Sequence, residues 1–248
     1  MQLITWNMQG ATDSAKLSKW PLVRKLVRDF GAVVCLQECG AIPDTAKDLK
    51  LPWGIAHVRT VLYPSQRDAS RAREKPIFIT HYAWDAAGNR TNLAIATPVQ
   101  PSSVKALPEI SNTIWRPALG VEIGATRRAT WYFCIHAISP GGKDAIDLLR
   151  TVPESTTLFN PKTGSKTLQP WVVAGDFNRE PDSLKSQMAS KKIAGSICRA
   201  NGNTHNAKQQ PPSKMLDYAI TSGPNSHVGE VQRNMADTSD HFPVLFNL

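Results

Sequence analysis

Five apolar runs in this chain meet a polar side chain at one end. QLITW stops at Asn7, AVVCLQ at Glu38, TWYFCI at His136 and VVAG at Asp176, while the pair Asp240-His241 stands directly before FPVLF. Short apolar runs of this kind read as buried strands. Strands of a packed sheet end on common rims, so side chains far apart in sequence can converge there. The set holds carboxylates, amides and histidines, with no Ser or Cys nucleophile among them. Hard oxygen donors suit Mg²⁺, which takes one or two carboxylates and leaves room for water and phosphate oxygens. In GDFN, Gly175 reads as the residue that lets the backbone turn. Asp176 then offers an acceptor and Asn178 an amide donor, on one side if the chain stays extended. Each residue alone has a plainer reading. An Asp or Asn after a strand forms turns, Glu38 can be a solvated carboxylate, His136 a core histidine, and Asp240-His241 a turn after Ser239. It is the recurrence that points to a site.

Strands and helices alternate between these ends. Residues 2–6 read as a strand. Residues 18–30 read as a helix capped by Ser18, with Pro21 in its first turn, an apolar stripe of Leu22, Leu26, Val27 and Phe30, and Gly31 as its stop. Residues 32–38 form a strand and 63–76 a polar, basic loop. Strands follow at 77–82, 91–97, 118–124 and 130–136, with AAGN at 86–89 as a hairpin-type turn. Then come a helix over 142–152, a loop over 160–170, a strand at 172–176, a helix over 182–192, a strand at 216–221 and a closing strand at 242–247. No repeat or linker interrupts the order, which predicts one α/β domain over 1–248.

A chain of 248 residues can bury roughly 70% of its unfolded surface. No apolar run approaches the roughly 18 residues of a membrane span, so the chain reads as soluble. Lys and Arg total 29 against 20 acidic residues, a net charge of +9. That balance favours a polyanionic partner, nucleic acid or an anionic lipid surface; the plain alternative is solubility. The densest basic stretch, RDASRAREK at 67–75, reads as a solvated loop, a DNA contact or a nuclear address. Cys35, Cys39, Cys134 and Cys198 fit no zinc spacing and read as buried free thiols. No signal peptide is visible ahead of LITW, which reads either as a cytosolic chain or as one whose leader has been removed.

The motifs TWNMQG, LQE, GDFNREP, LDYAI and SDHFPV occur in the order found in the DNase I-like endonuclease/exonuclease/phosphatase superfamily, which the chain resembles. GNRTNLAIAT, WRPALGVEIG and FCIHAISPGGKDA narrow the resemblance to the toxin-type branch, the catalytic subunits of cytolethal distending toxins. It implies a four-layer α/β sandwich of two packed, mostly antiparallel sheets flanked by helices. It also implies an Mg²⁺-dependent endonuclease that cuts DNA with little sequence specificity. Glu38 matches the metal-binding glutamate, with Asp240 of the SDH pair beside it. Asp176 and Asn178 match the GD-x-N motif, Asp217 the carboxylate that orients His241, and His136 the second catalytic histidine. Asn7, Arg90, Arg116 and Asn178 match phosphate-contacting positions. His241 is assigned to the attacking water, since an imidazole suits a base near neutral pH. The resemblance further implies delivery subunits and a secreted protein acting in a host nucleus, its leader absent from this chain. A phosphoinositide phosphatase using the same site is the alternative activity, and a non-catalytic binding module the alternative class. Three departures stand out. Cys39 sits where a small residue is expected, no helper glutamate for His136 is visible, and GATRR at 124–128 is unlike the branch's hairpin.

Overall fold

The computed structural model describes residues 1–10, 19–63, 75–85, 88, 90–107, 116–124, 129–159, 161–205, 213–234 and 239–248. Two sheets dominate it. In the first, the strand order is β15 (Glu230–Val231), β16 (Val244–Asn247), β1 (Gln2–Asn7), β2 (Val33–Gln37), β6 (Leu93–Thr97), β5 (Ile77–Tyr82), β4 (Val58–Tyr63) and β3 (Lys47–Asp48). In the second it is β13 (Ser196–Cys198), β14 (Asp217–Thr221), β12 (Trp171–Asp176), β9 (Thr130–His136), β8 (Ala118–Ile123) and β7 (Ser103–Leu107). Most pairs are antiparallel. Each sheet contains one parallel pair, β1 with β2 and β9 with β12. Parallel neighbours need a crossover, supplied by helix α1 (Trp20–Phe30) in the first sheet and α2 (Ala145–Ser155) in the second.

Residue parity sends the side chains to two cores. On β1 and β2, Leu3, Val33 and Cys35 point between the sheets, where they meet residues of β8, β9, β12 and β14. Ile4, Trp6, Val34 and Leu36 point outward and are covered by Trp20, Val23, Leu26 and Val27 of α1. Helix α2 and helix α3 (Pro181–Ser190) cover the far face of the second sheet with Leu148, Leu149, Val152, Leu184 and Met188. The result is the expected α/β/β/α sandwich. No described helix is long and apolar enough to cross a membrane.

Several local expectations change. Helix α1 starts at Trp20 after Lys19, which makes no side-chain cap; Ser18 lies outside the described residues. Val23 is buried while Leu22 packs at the margin. Gly31 does end the helix, left-handed at φ 59° with its N–H on the Val27 carbonyl. Within 160–170, Lys166–Leu168 (β11) pairs with Thr157–Phe159 (β10) as an exposed two-stranded hairpin. Tyr63 belongs to β4. The basic 67–75 stretch apart from Lys75, most of AAGN, and 125–128 of GATRR lie outside the described residues. All four cysteines are buried free thiols.

His81 on β5 is buried and its Nε2 hydrogen-bonds the Gly40 carbonyl at 2.9 Å, tying β5 to the chain just after Glu38. Its Nδ1 is buried without a partner, and burial pulls its pKa down to about 4. The unfolded imidazole keeps its ordinary value of about 6.5. Between these values the unfolded chain takes up a proton that the folded chain refuses, so stability falls as the pH drops through that window. This group alone is expected to remove about 2 kcal/mol between pH 7.5 and pH 5. Urea titrations of His81→Gln at both pH values should show a correspondingly shallower pH dependence; an unchanged slope would place the acid sensitivity elsewhere.

Candidate active site

The carboxyl ends of the four parallel strands lie on one rim. Register puts Asn7 beside Gln37 and Asp176 beside His136, and the antiparallel β14 starts with Asp217 opposite Asp176. Asn7 continues the inward-facing parity of Leu3. Its Nδ2 crosses between the sheets and donates to Asp176 Oδ2 at 3.1 Å and to Glu38 Oε1 at 3.4 Å. Glu38 would follow Leu36 to the outer face if β2 stayed extended. Instead its backbone is left-handed at φ 46°, which brings the carboxylate over the rim. Its Oε1 then lies 3.7 Å from His136 Nε2, and Asp176 Oδ2 lies 3.6 Å from the same nitrogen.

Gly175 and Asn178 serve differently from the sequence reading. Gly175 lies within β12, and a β-carbon there would stand 2.0 Å from the Ile135 carbonyl oxygen. Glycine is needed for that close approach rather than for a turn. The turn falls at Asn178, left-handed at φ 48°. Its N–H donates to Asp176 Oδ1 at 2.8 Å and its Nδ2 to the Ala137 carbonyl at 2.9 Å. Asp176 and Asn178 therefore meet through a turn, not along an extended strand. Arg116 Nη1 reaches the same carbonyl at 3.3 Å. The carboxylate of Asp144, from the HAISPGGKDA motif, accepts the Ile138 N–H and draws on the Arg116 backbone and charge.

His241 is held at its ring Nδ1 and along its main chain. Its Nδ1 bonds Asp217 Oδ2 at 2.7 Å, and its Nε2 stands 3.7 Å from Asp176 Oδ2. Its carbonyl accepts from Trp6 Nε1, and its N–H donates to Ser239 Oγ, which itself donates to the Asn7 carbonyl. Thr204, buried and absent from the sequence reading, donates its hydroxyl to Asp217 Oδ2 at 2.7 Å and accepts the Leu216 and Asp217 N–H groups. Asp240 faces this group through its charge, which acts on His241, His205 and, together with Glu38, on the Lys19 ammonium. Its N–H is taken by Gln9 Oε1.

Electrostatics divide the two histidines. Burial lowers His136 well below its ordinary value, and the charges of Arg116, His241 and Arg90 add to that; it is neutral. Among the described residues its buried Nδ1 has no hydrogen-bond partner. Burial also opposes a charged His241, but Asp217, its hydrogen bond, Asp176 and Asp240 outweigh that and push the ring up to about 10. Burial and the Asp217 charge raise Asp176 to about 7, against His241 and the Asn178 and Asn7 hydrogen bonds.

Asp176, Asp217 and His241 cluster closely enough to share an ion, yet Asp217 Oδ2 already serves Thr204 and His241. Glu38 and Asp176 instead direct carboxylate oxygens at one spot between Asn7 and His136. Hard, anionic and converging, they fit a divalent cation of the Mg²⁺ kind.

Arg90 is placed by a residue that sequence reasoning passed over. Asp85 accepts the N–H groups of Gly88, Arg90 and Thr91 and the Thr91 hydroxyl. Chiefly the Thr91 N–H, with the others, holds its carboxyl down at about 2. Aspartate three residues before glycine was the available signal. Arg90 then donates from Nε to Glu38 Oε2 at 3.1 Å while 65% of its side chain stays exposed. Arg90 is thus engaged with Glu38.

The Endonuclease/Exonuclease/phosphatase family model matches residues 4–241. The chain belongs to this family. Among its relatives are the B components of cytolethal distending toxins. The homolog from Salmonella typhi is 29% identical over 256 aligned positions that cover 99% of this chain and 88% of that protein. The Escherichia coli protein is 30% identical over 259 positions, covering 98% and 90%. The crystal structure of cytolethal distending toxin from Actinobacillus actinomycetemcomitans superposes with a TM-score of 0.81 at 27% identity, covering 99% of this chain and 97% of that one. The protein is thus a metal-dependent hydrolase of the phosphodiesterase and nuclease type, with the DNase I-like fold.

Asp85→Ala is expected to release Arg90 and to slow hydrolysis by about the factor that Arg90→Ala does, since groups in one network are not additive. Relative rates of the two single variants and the double variant check this. A double variant that loses the product of both factors would separate Asp85 from Arg90.

Proposed function

We propose that this chain is a single catalytic domain that hydrolyses DNA phosphodiester bonds with Mg²⁺, as the genotoxic subunit of a toxin that works with delivery subunits and acts in the host nucleus. The observation that carries the reading is the oxygen-rich meeting of Asn7, Glu38 and Asp176 beside the His241–Asp217 pair, with no side-chain nucleophile among them. Water is then the nucleophile. The net charge of +9 suits a DNA backbone, because cationic side chains that displace counterions supply most non-specific affinity. The relatives named as toxin subunits support the delivery partners.

Glu38, with Asp176 and Asp240, would hold Mg²⁺, which when bound offsets the charge on the phosphate oxygens. Sequence makes His241 a base near neutral pH, but against its burial Asp217, its hydrogen bond, Asp176 and Asp240 push the ring up to about 10. It must therefore first release its Nε2 proton before it takes one from the attacking water; Asp217 fixes its Nδ1 and Thr204 fixes Asp217. Neutral His136 offers the phosphate a hydrogen-bond donor at Nε2. Asn7, Asn178, Arg116 and Arg90 orient the phosphate; the arginine fork matches two of its oxygens.

Nicking of supercoiled plasmid should require a divalent cation, and Glu38→Ala should raise the Mg²⁺ concentration for half-maximal rate by roughly 10-fold or more. Full activity in excess EDTA would remove the metal from the reading. Phosphate release from a phosphoinositide, run beside it, should be the weaker activity; the reverse order would make the lipid the substrate.

His136→Ala and His241→Ala should each slow nicking by roughly 10²-fold or more. The double variant should lose less than the product of the two, as groups acting in one unit do. Single-turnover rates decide it, and strictly multiplicative losses would mean the rings act independently.

A further inference from the structure

The segment that carries Thr204 also carries a third histidine at the site. His205 is joined to His241 by an antiparallel backbone bridge, and to Lys214 by another. The Phe242 N–H donates to the Thr204 carbonyl. The two imidazoles meet edge to face, with centroids 4.7 Å apart and planes at 61°, within the usual range for paired rings. His205 Nδ1 is buried and has no hydrogen-bond partner among the described residues.

The hydrogen bond from Nδ1 to Asp217 fixes one atom of the His241 ring and its distance. Rotation of the ring about that contact is opposed on the far side by Asp176 Oδ2, 3.7 Å from Nε2, and such rotation would displace Nε2. The backbone contacts of His241 to Trp6 and Ser239 hold its main chain, not its ring plane. A ring packed against His241 opposes that rotation as well. We propose that His205 is a positioning residue for His241: Thr204 holds the carboxylate of the pair, and His205 holds the plane of the imidazole. This rests on the reading of His241–Asp217 as the proton-handling pair. The property His205 supplies is the flat ring that meets His241 edge to face.

Two variants separate these roles. His205→Ala removes the ring, and His205→Phe keeps a ring without nitrogens. Loss of orientation in a catalytic group appears in kcat rather than KM. His205→Ala is expected to lower kcat roughly 10-fold with KM within about twofold of the parent, and His205→Phe to recover most of that loss, both at unchanged thermal midpoint. Independently of turnover, the His241 Nδ1 proton should give an observable NMR resonance in the parent and in His205→Phe, and should broaden by exchange in His205→Ala. Unchanged kcat in His205→Ala, a loss confined to KM, or a His205→Phe as impaired as His205→Ala would each overturn the proposal. If the parent shows no hydrolysis of plasmid or phosphoinositide, the proposed function fails, and the NMR comparison alone decides the positioning role.

Discussion

The site exists because two parallel strand pairs face each other across the sandwich. In an antiparallel sheet, neighbouring strands end at opposite edges, so polar residues that terminate them are dealt to two rims. The pairs β1–β2 and β9–β12 end on the same rim in each sheet. Packing the sheets then sets Asn7 and Glu38 against His136 and Asp176, and the Asn7 amide spans the gap. The helices are part of this arrangement. Without α1 and α2 to carry the chain back, neither pair could run parallel, and without their apolar faces the outer sides of both sheets would be bare.

How much of this the sequence disclosed follows from strand phase. Asn7, His136 and Asp176 end apolar runs with the parity that faces the core, so the rim was legible from them. Glu38 was legible as the carboxylate that ends an apolar run, but its left-handed backbone was not, because nothing in VVCLQE signals a break in alternation. The same holds for Asn178, where the expected extended GDFN is a turn. Strand β4, flanked by the two-residue β3, and the edge strand β7 interrupt their apolar pattern with Arg59 and Lys105, and neither reads as a strand from sequence. Strands β3, β13 and β15 are too short to carry a period and form because a partner is present. Thr204 and His205 sit in NGNTHN, a polar stretch without periodicity; their importance comes wholly from what the fold brings to them.

Local strain accompanies the function. Gln9, Glu38 and Asn178 all hold positive φ, at 51°, 46° and 48°, and each lies at the rim. Such residues cost of order 1–3 kcal/mol apiece and persist when their surroundings hold them. Asn7 Oδ1 accepts the Gln9 N–H, Glu38 is gripped by Arg90 and Asn7, and Asn178 is held by Asp176 and Ala137. Buried carboxylates add to the load: Asp217 Oδ1 and Asp144 Oδ2 lack partners. The sandwich core, with its closely packed Trp, Phe and aliphatic side chains, offsets this.

The pairing of β1 with β16 has a consequence for the birth of the protein. Asn7 and Glu38 leave the ribosome early, while His241 arrives only with the segment that leads into β16, the antiparallel partner of the first strand. Contacts between such distant parts of a chain form last. During synthesis the growing polypeptide therefore carries Asn7 and Glu38 before the imidazole that is proposed to work with them. On the proposed role of His241, a chain interrupted before that closing strand lacks its water-handling group, and activity waits until translation has run through the strand that completes the first sheet.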